Sequence, residues 1–358
     1  MKEKVVVGMS GGVDSSVAAY LLKEEGYEVI GVTMQIWQEE EWHIKEENGG
    51  CCGLSAIEDA RRVAQLIDIP YYVMNFRSEF KEKVISYFID EYVRGRTPNP
   101  CNACNRYIKW ESLLKRSRDI GADYIATGHY ARVKRLENGR YTLQTSAALN
   151  KDQTYALCHL SQEQLAHTLM PIGEYTKDEV RAIGVKAGLP VARKRDSQEI
   201  CFIPDQDYAR FIDEHAKKEV PPPGNFVGVD GKILGRHKGI THYTIGQRKG
   251  LNLSLGKPVF VTAIKAKSNE VVVGEAKDVW TDRLIAGDLN YMAATHVEDG
   301  KRLLAKIRYS HQGAYCRVSP FGNGKLKCTF EEPVRAVTPG QAVAFYDGDC
   351  LFLGGTIE

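Results

Sequence analysis

Along the first two hundred positions, apolar residues alternate between short solid runs and runs at helical spacing. Val5-Val6-Val7-Gly8-Met9 is a β-branched run that predicts a buried strand. From Asp14 to Glu25, Val17, Tyr20 and Leu21 recur at helical spacing until Gly26 stops them, which predicts a helix. A strand follows over Glu28–Trp37, and then a polar, acidic insertion over residues 39–53. Ser55 and Glu58 form a capping-box pair ahead of an apolar stripe of Ile57, Ala60, Val63, Ala64 and Ile67. Tyr71–Phe76 reads as a strand, Glu79–Val93 as a helix ended by Gly95, and Asp123–Thr127 as a further strand. This alternation predicts an α/β fold with a doubly wound parallel sheet. Ligands of such sheets sit at the carboxyl ends of strands near the switch point, where Met9-Ser10, Met34 and Thr127-Gly128-His129 fall.

Near Pro204 the pattern changes. Asp205–His215 makes one short helix, Pro221-Pro222-Pro223-Gly224 breaks it, and Asn225–Asp230, Lys257–Lys265 and Glu270–Gly274 read as strands. From Asp278 onward the segments are strands, including Arg302–Tyr309, Ala314–Val318, Lys325–Glu331 and Gln341–Tyr346, spaced as in a small β-barrel. Three domains are expected: a nucleotide-binding and catalytic domain over 1–204, a small mixed domain over 205–277 and a barrel over 278–358.

Composition adds little to this division. The 358 residues exceed one ordinary core, and the formal charge of +2 excludes few partners. The basic residues are bunched, however, at Arg94 and Arg96, Arg106 to Arg118, Arg193 to Arg195 and Arg236 to Lys249. Such bunching suits a polyanion, with a solvated basic face as the plainer alternative. The chain has no run of about eighteen apolar residues, and Met1-Lys2-Glu3-Lys4 leads straight into a strand instead of a signal-peptide core. A soluble, cytoplasmic protein is expected.

The candidate chemistry begins at Ser10-Gly11-Gly12-Val13-Asp14-Ser15-Ser16, a glycine turn between the first strand and the first helix. There the outward-pointing amides and the helix dipole favour an anion, and the glycines let backbone approach a phosphate. Ser10, Ser15 and Ser16 add hydroxyl donors, and Asp14 could hold the magnesium that a pyrophosphate brings. No lysine follows, as a Walker loop requires, and the dinucleotide fingerprint is absent. Gly8-Met9-Ser10-Gly11-Gly12 does satisfy the Gly-x-Ser-x-Gly elbow of a hydrolase, but that elbow normally follows several strands, whereas this turn follows the first. The pattern Ser-Gly-Gly-x-Asp-Ser resembles instead the pyrophosphatase-type (PP) loop, whose enzymes split ATP between its α and β phosphates and adenylate an oxygen of a second substrate.

Nine cysteines in a cytosolic chain raise a functional question, because structural disulfides are unlikely in that compartment. Cys51, Cys52, Cys158, Cys316, Cys328 and Cys350 read as small buried hydrophobes. Cys104 differs. It follows Pro98-Asn99-Pro100-Cys101 at the start of an expected helix through Tyr107, Ile108 and Leu113. Cys201 follows Arg193-Lys194-Arg195. A helix start or nearby cations favour the reactive thiolate. Cys101-x-x-Cys104 could also be half of a zinc site, but no second pair at zinc spacing completes it.

Together these residues resemble a known family. Gly8 to Ser15, Thr97-Pro98-Asn99-Pro100 with Cys104-Asn105, Thr127-Gly128-His129-Tyr130, Lys151-Asp152-Gln153, Asp196-Ser197 with Ile200-Cys201-Phe202, Tyr243-Thr244-Ile245-Gly246-Gln247-Arg248 and Arg308-Tyr309 stand in the order found in bacterial tRNA-specific 2-thiouridylases, nearly end to end. The resemblance implies replacement of O2 of the wobble uridine by sulfur in tRNAs for lysine, glutamate and glutamine. It implies ATP over Gly8, Met9, Ser10, Gly11, Gly12, Val13, Asp14 and Ser15, with Met34 and Gly128 near the adenosine and Asp14 on Mg2+ and pyrophosphate. Cys201 would carry a persulfide loaded by a cysteine desulfurase or a sulfur-carrier protein, and Cys104 would resolve it through a transient Cys104–Cys201 disulfide. Asn99, Pro100 and Cys101 would surround the flipped-out base. His129, Lys151, Asp152, Gln153, Arg308, Tyr309 and Gln341 match family positions that contact the anticodon arm, and the middle domain would bind tRNA.

Cys101 departs from those family members that carry aspartate there. It is a neutral replacement, an alternative resolving thiol, or, with Cys104 and Cys201, a ligand of an iron–sulfur cluster. A different PP-loop ligase or amidotransferase that uses no persulfide is the alternative function. Monomer is the default state.

Overall fold

Val5, Val6 and Val7, fully buried, form the middle of strand β1 (Lys4–Gly8) and the centre of the first sheet. The computed structural model describes residues 2–36, 53–195, 200–203, 205–216 and 220–358. Trp37, residues 39–52 of the expected insertion with Cys51 and Cys52, the stretch 196–199 and Pro204 lie outside the described residues. The chain forms two compact units. The first is Met1–Val84, Cys101–Gln206 and Asp349–Leu351; the second is Ile85–Pro100, Asp207–Gly348 and Phe352–Glu358.

In chain order β1 leads to α1 (Val13–Glu24), β2 (Glu28–Gln35), α2 (Leu54–Leu66) and β3 (Tyr71–Asn75). Two helical runs follow, α3 over 77–93 and α4 over 100–119, and both contain π-helical turns, at Lys81–Ser86 and Cys104–Leu113. Then come β4 (Tyr124–Thr127), the hairpin β5 (Ala131–Arg135) and β6 (Tyr141–Thr145), α5 (Gln162–Ala166), β7 (Thr168–Leu169) and α6 (Lys177–Lys186). The first sheet has the order β3-β2-β1-β4-β7, and every pairing is parallel. That is the doubly wound sheet expected, with its switch point between β1 and β4. Val13, Val17, Ala18 and Leu22 of α1 join Val5, Val7, Ala126 and Val180 in one core.

Two local expectations need correction. Ser55 and Glu58 do not cap α2. Gly53 holds the extended N-cap conformation (φ −74°, ψ 171°), so Ser55 already lies inside the first turn. The helix carrying Cys104 starts at Pro100, whose fixed φ suits a first helical position, so Cys104 lies one turn inside.

In the second unit α7 (Tyr208–His215) is capped by Asp207, whose Oδ1 accepts the Arg210 amide at 3.0 Å. Strands β8 (Asn225–Gly228), β9 (Ile233–Arg236), β10 (Phe260–Lys265) and β11 (Glu270–Gly274) form a sheet of order β10-β11-β8-β9. β12 (Trp280–Tyr291), β13 (Lys301–Lys306), β14 (Ala314–Phe321), β15 (Lys325–Arg335), β16 (Ala342–Asp347) and β17 (Cys350–Ile357) run in the order β12-β15-β14-β13-β16-β17. A β12–β17 pairing, Ala286 opposite Ile357, closes them into the expected barrel. Its core includes Leu303, Val318, Phe345 and the buried Cys316 and Cys328. Contact with Cys316 and burial push the Cys328 thiol far up, out of reach of ordinary thiolate chemistry.

Candidate active site

The loop after β1 is shaped by close approaches that only glycine permits. Gly11 has φ +66°, and a Cβ there would stand 2.3 Å from the Ala56 carbonyl oxygen on α2. At Gly128, just past β4, a Cβ would lie 2.5 Å from the Ser15 nitrogen. Gly128 therefore braces the first turn of α1 from across the switch point.

Serines hold the loop's curve. Ser15 Oγ accepts the Ser10 amide at 3.1 Å and lies 3.3 Å from Ser10 Oγ, while Ser16 Oγ donates to the Gly12 carbonyl at 2.8 Å. The backbone ladder of α1 opens with the Ser16 amide on Gly12 O at 3.3 Å, so the helix's earlier amides face outward at its positive end. The arrangement fits a phosphate chain, and among the described residues the hydroxyl partner of Ser10 is Ser15, not a base of the kind a hydrolase nucleophile needs. Beside the loop, Thr33 on β2 donates to the Met9 carbonyl at 2.7 Å and accepts from Tyr71 at 2.7 Å, and half-buried Met34 follows it one residue before the strand ends.

Asp14 is held by two residues that reasoning along the sequence did not bring to it. Lys177 Nζ donates to both its oxygens, at 2.8 and 2.9 Å, and the Tyr130 hydroxyl donates to Oδ1 at 2.8 Å. A second ammonium, Lys194 Nζ, reaches the Gly11 carbonyl at 3.2 Å and Asp59 at 2.7 Å. The pairing Thr176/Glu179, a reciprocal capping box that starts α6, was the available signal for Lys177.

Asp152 and Gln153 are committed within the same unit. Buried Asp152 accepts from the Ser146 amide at 3.1 Å and the Thr154 hydroxyl at 2.6 Å. Gln153 exchanges bonds with the Tyr130 backbone, each at 2.9 Å, and so supports the tyrosine that holds Asp14. Lys151 beside them is half-buried. His129 is 8% exposed, with Nδ1 2.7 Å from Thr127 Oγ1 and Nε2 3.5 Å from Lys109 Nζ. Burial, and then the Lys109 ammonium, hold its pKa well below the ordinary histidine value.

Cys101 and Cys104 lie three apart on α4, on one helical face, with Cys101 exposed and Cys104 half-buried. Cys201 is half-buried. Among the described residues no three His, Cys, Asp or Glu side chains gather to hold a metal.

In the second unit the segment before Cys101 is clamped. Gln341 Nε2 donates to the Thr97 carbonyl at 2.8 Å, the Thr97 amide donates to Pro339 O at 2.9 Å, and the Thr97 and Thr244 hydroxyls meet at 3.3 Å. Asn99 is half-buried and Pro100 buried. Arg308 donates to the Arg335 carbonyl at 2.9 Å, and Tyr309 next to it is 50% exposed.

A parallel α/β domain with a glycine-and-serine phosphate loop at its switch point, followed by a small sheet and a closed barrel, defines a nucleotide-binding enzyme of the HUP class. Family models match all three parts: a tRNA methyl transferase HUP domain over residues 3–205, a tRNA methyl transferase PRC-barrel domain over 209–275 and an aminomethyltransferase beta-barrel domain over 281–357. The tRNA-specific 2-thiouridylase MnmA of Lachnoclostridium phytofermentans is 64% identical over 99% of both chains. That of Clostridioides difficile is 54% identical over 100% of this chain and 99% of its own. The chain belongs to the tRNA-specific 2-thiouridylase family. Among solved structures, NMN synthetase from Francisella tularensis aligns at TM-score 0.34 and 15% identity, over 61% of this chain and 79% of that one.

Proposed function

We propose that this enzyme thiolates tRNA, replacing O2 of the wobble uridine in tRNAs for lysine, glutamate and glutamine by sulfur at the expense of MgATP. The observation that carries the reading is the loop from Gly8 to Ser15 at the switch point, joined on one polypeptide to a Pro98-Asn99-Pro100 segment and two further cysteines in family positions. Full-length relatives named for 2-thiouridylation support the same reaction.

In this reading the loop amides and serines bind the phosphates, and the uracil O2 attacks the α-phosphorus, releasing pyrophosphate. Adenylation turns a poor leaving group into AMP. Cys201 carries a persulfide from a cysteine desulfurase or a sulfur carrier, and its terminal sulfur bonds to C2. Cys104 thiolate then attacks Cys201 Sγ. The sulfur–sulfur bond breaks, its electron pair stays with the sulfur on C2, AMP departs, and a Cys104–Cys201 disulfide remains for a cellular reductant. Asn99, Pro100 and Cys101 receive the unstacked base, Met34 and Gly128 flank the adenosine, and exposed Tyr309 beside Arg308 suits stacking next to a phosphate contact. The enzyme acts as a monomer in the cytoplasm, and no described helix is long and apolar enough to cross a membrane.

The test is mass spectrometry of the wobble nucleoside after incubation with MgATP, unmodified tRNA and a persulfide donor. Exchange of one oxygen for sulfur is expected. An added methyl group would instead favour the methyl-transfer chemistry in the family models' names, and an unchanged nucleoside would refute both.

A further inference from the structure

Lys177 stands where an isolated helix would not place a cation. It is the first residue of α6, at the positive end of the helix dipole, and its side chain is only 12% exposed. The capping box fixes that helix start, since the Thr176 hydroxyl accepts the Glu179 amide at 3.3 Å and Glu179 accepts the Thr176 amide at 2.7 Å. An ammonium so placed needs an anion, and Asp14, inside the phosphate loop, supplies one through two bonds. Asp14 is the more exposed partner, 29% against 12%. Tyr130 anchors Asp14 Oδ1 from another side, so the carboxylate keeps its position when the lysine moves. Lys194, reaching the Gly11 carbonyl, puts a second ammonium beside the same loop.

We propose that Lys177 is a pyrophosphate-binding residue of this site: the β- and γ-phosphates of ATP draw its ammonium off Asp14, and the carboxylate thereby becomes a ligand for the magnesium that ATP brings. The inference rests on the loop's reading as the ATP site. Phosphate oxygens carry more charge than one carboxylate and lie at the convergence of two helix N-termini, so the exchange replaces one charge-assisted contact by a stronger one. Lys177 thus does for this loop what the lysine missing after its glycines does in a Walker loop, but from a helix 163 residues further along the chain.

Titration calorimetry of the full chain with MgATP, magnesium pyrophosphate and AMP tests it. Lys177→Met is expected to weaken ATP and pyrophosphate about ten- to a hundredfold and AMP less than about twofold, and Lys177→Arg to keep most of the affinity. Equal weakening of all three ligands, or none, would overturn the proposal. Should Lys177→Met fail to fold, Asp14→Asn is compared with Asp14→Asn/Lys177→Met, in which the pair is removed together. Weaker pyrophosphate binding by the double variant supports a direct phosphate contact, and equal binding refutes it. If wild type binds neither ATP nor pyrophosphate, the ATP site itself has failed, a different result from wild-type binding that Lys177→Met leaves intact.

Discussion

Gln341 Nε2 donates to the backbone carbonyl of Thr97 at 2.8 Å across 244 residues of sequence. Two residues beyond Thr97 stands Asn99, and the same threonine is held on its other sides by Thr244 and Pro339. Gln341 therefore acts on the segment leading to Asn99, the proposed base-binding segment, through its backbone. Gln341→Ala should cost about 1 kcal/mol of stability and lower kcat for thiolation more than it raises Kd for tRNA. A filter-binding assay beside single-turnover kinetics separates the two. A loss confined to tRNA affinity would make Gln341 a direct anticodon-arm contact instead.

In the proposed reaction Cys201 and Cys104 act in successive halves that can be read separately. Cys201→Ser should abolish thiolation while leaving ATP cleavage, because no persulfide forms on a hydroxyl. With Cys104→Ser, persulfide should load on Cys201 and persist. Each variant should bind tRNA within about threefold of wild type, since a thiol-to-hydroxyl change at a half-buried site leaves shape intact. Full thiolation by either would remove that cysteine from the mechanism.

Buried, neutral His129 sets a pH window. Its folded pKa lies well below the ordinary value of about 6.5, so above that pH neither state is protonated and no cost arises. As pH falls below about 6.5 the unfolded chain takes up a proton that the folded one refuses, and stability declines by up to about 1.4 kcal/mol per pH unit. His129→Gln should flatten the fall of Tm between about pH 6.5 and 5 relative to wild type. Parallel curves would show that the imidazole does not carry the dependence.

How much of this was legible in the sequence follows from how local each signal is. The strand, glycine turn and helix from Val5 to Glu24 occupy one continuous stretch, and both the fold class and the glycine turn were readable there. The barrel was readable from strand spacing. The hairpin β5–β6 was missed although Asn138-Gly139 marks its turn, with Gly139 at φ +80°, because its strands are short and carry charges that blur alternation. The Ser55/Glu58 motif misled because a capping box is a matter of backbone conformation, and Gly53 had already taken that position. The Thr176/Glu179 capping box marks the helix start that carries Lys177, but the contacts of Tyr130 and Lys177 with Asp14 were not legible, since both reach it only after the sheet has closed the distance. Lys151, Asp152 and Gln153 were legible as a motif, but nothing in their spacing signals that Asp152 and Gln153 bond inward.

Gly128 offers the most direct test of the loop's dependence on shape. A methyl group there would sit 2.5 Å from the Ser15 nitrogen and 2.6 Å from the Asp14 carbonyl carbon, both backbone atoms that cannot rotate away. Either β4 or the first turn of α1 must shift, and the loop amides shift with the helix. Overpacking of this kind costs about 1–3 kcal/mol. Gly128→Ala should therefore lower thermal stability and weaken MgATP binding by about tenfold or more, with tRNA affinity nearly unchanged. Gly139→Ala is the control: it also replaces a glycine, but no atom lies within 4 Å of its added Cβ. That variant should lose only the strain of its positive φ, about 1 kcal/mol, and keep wild-type ATP affinity. Equal ATP affinity in the two variants would mean that the contact between Gly128 and α1 does not shape the nucleotide site.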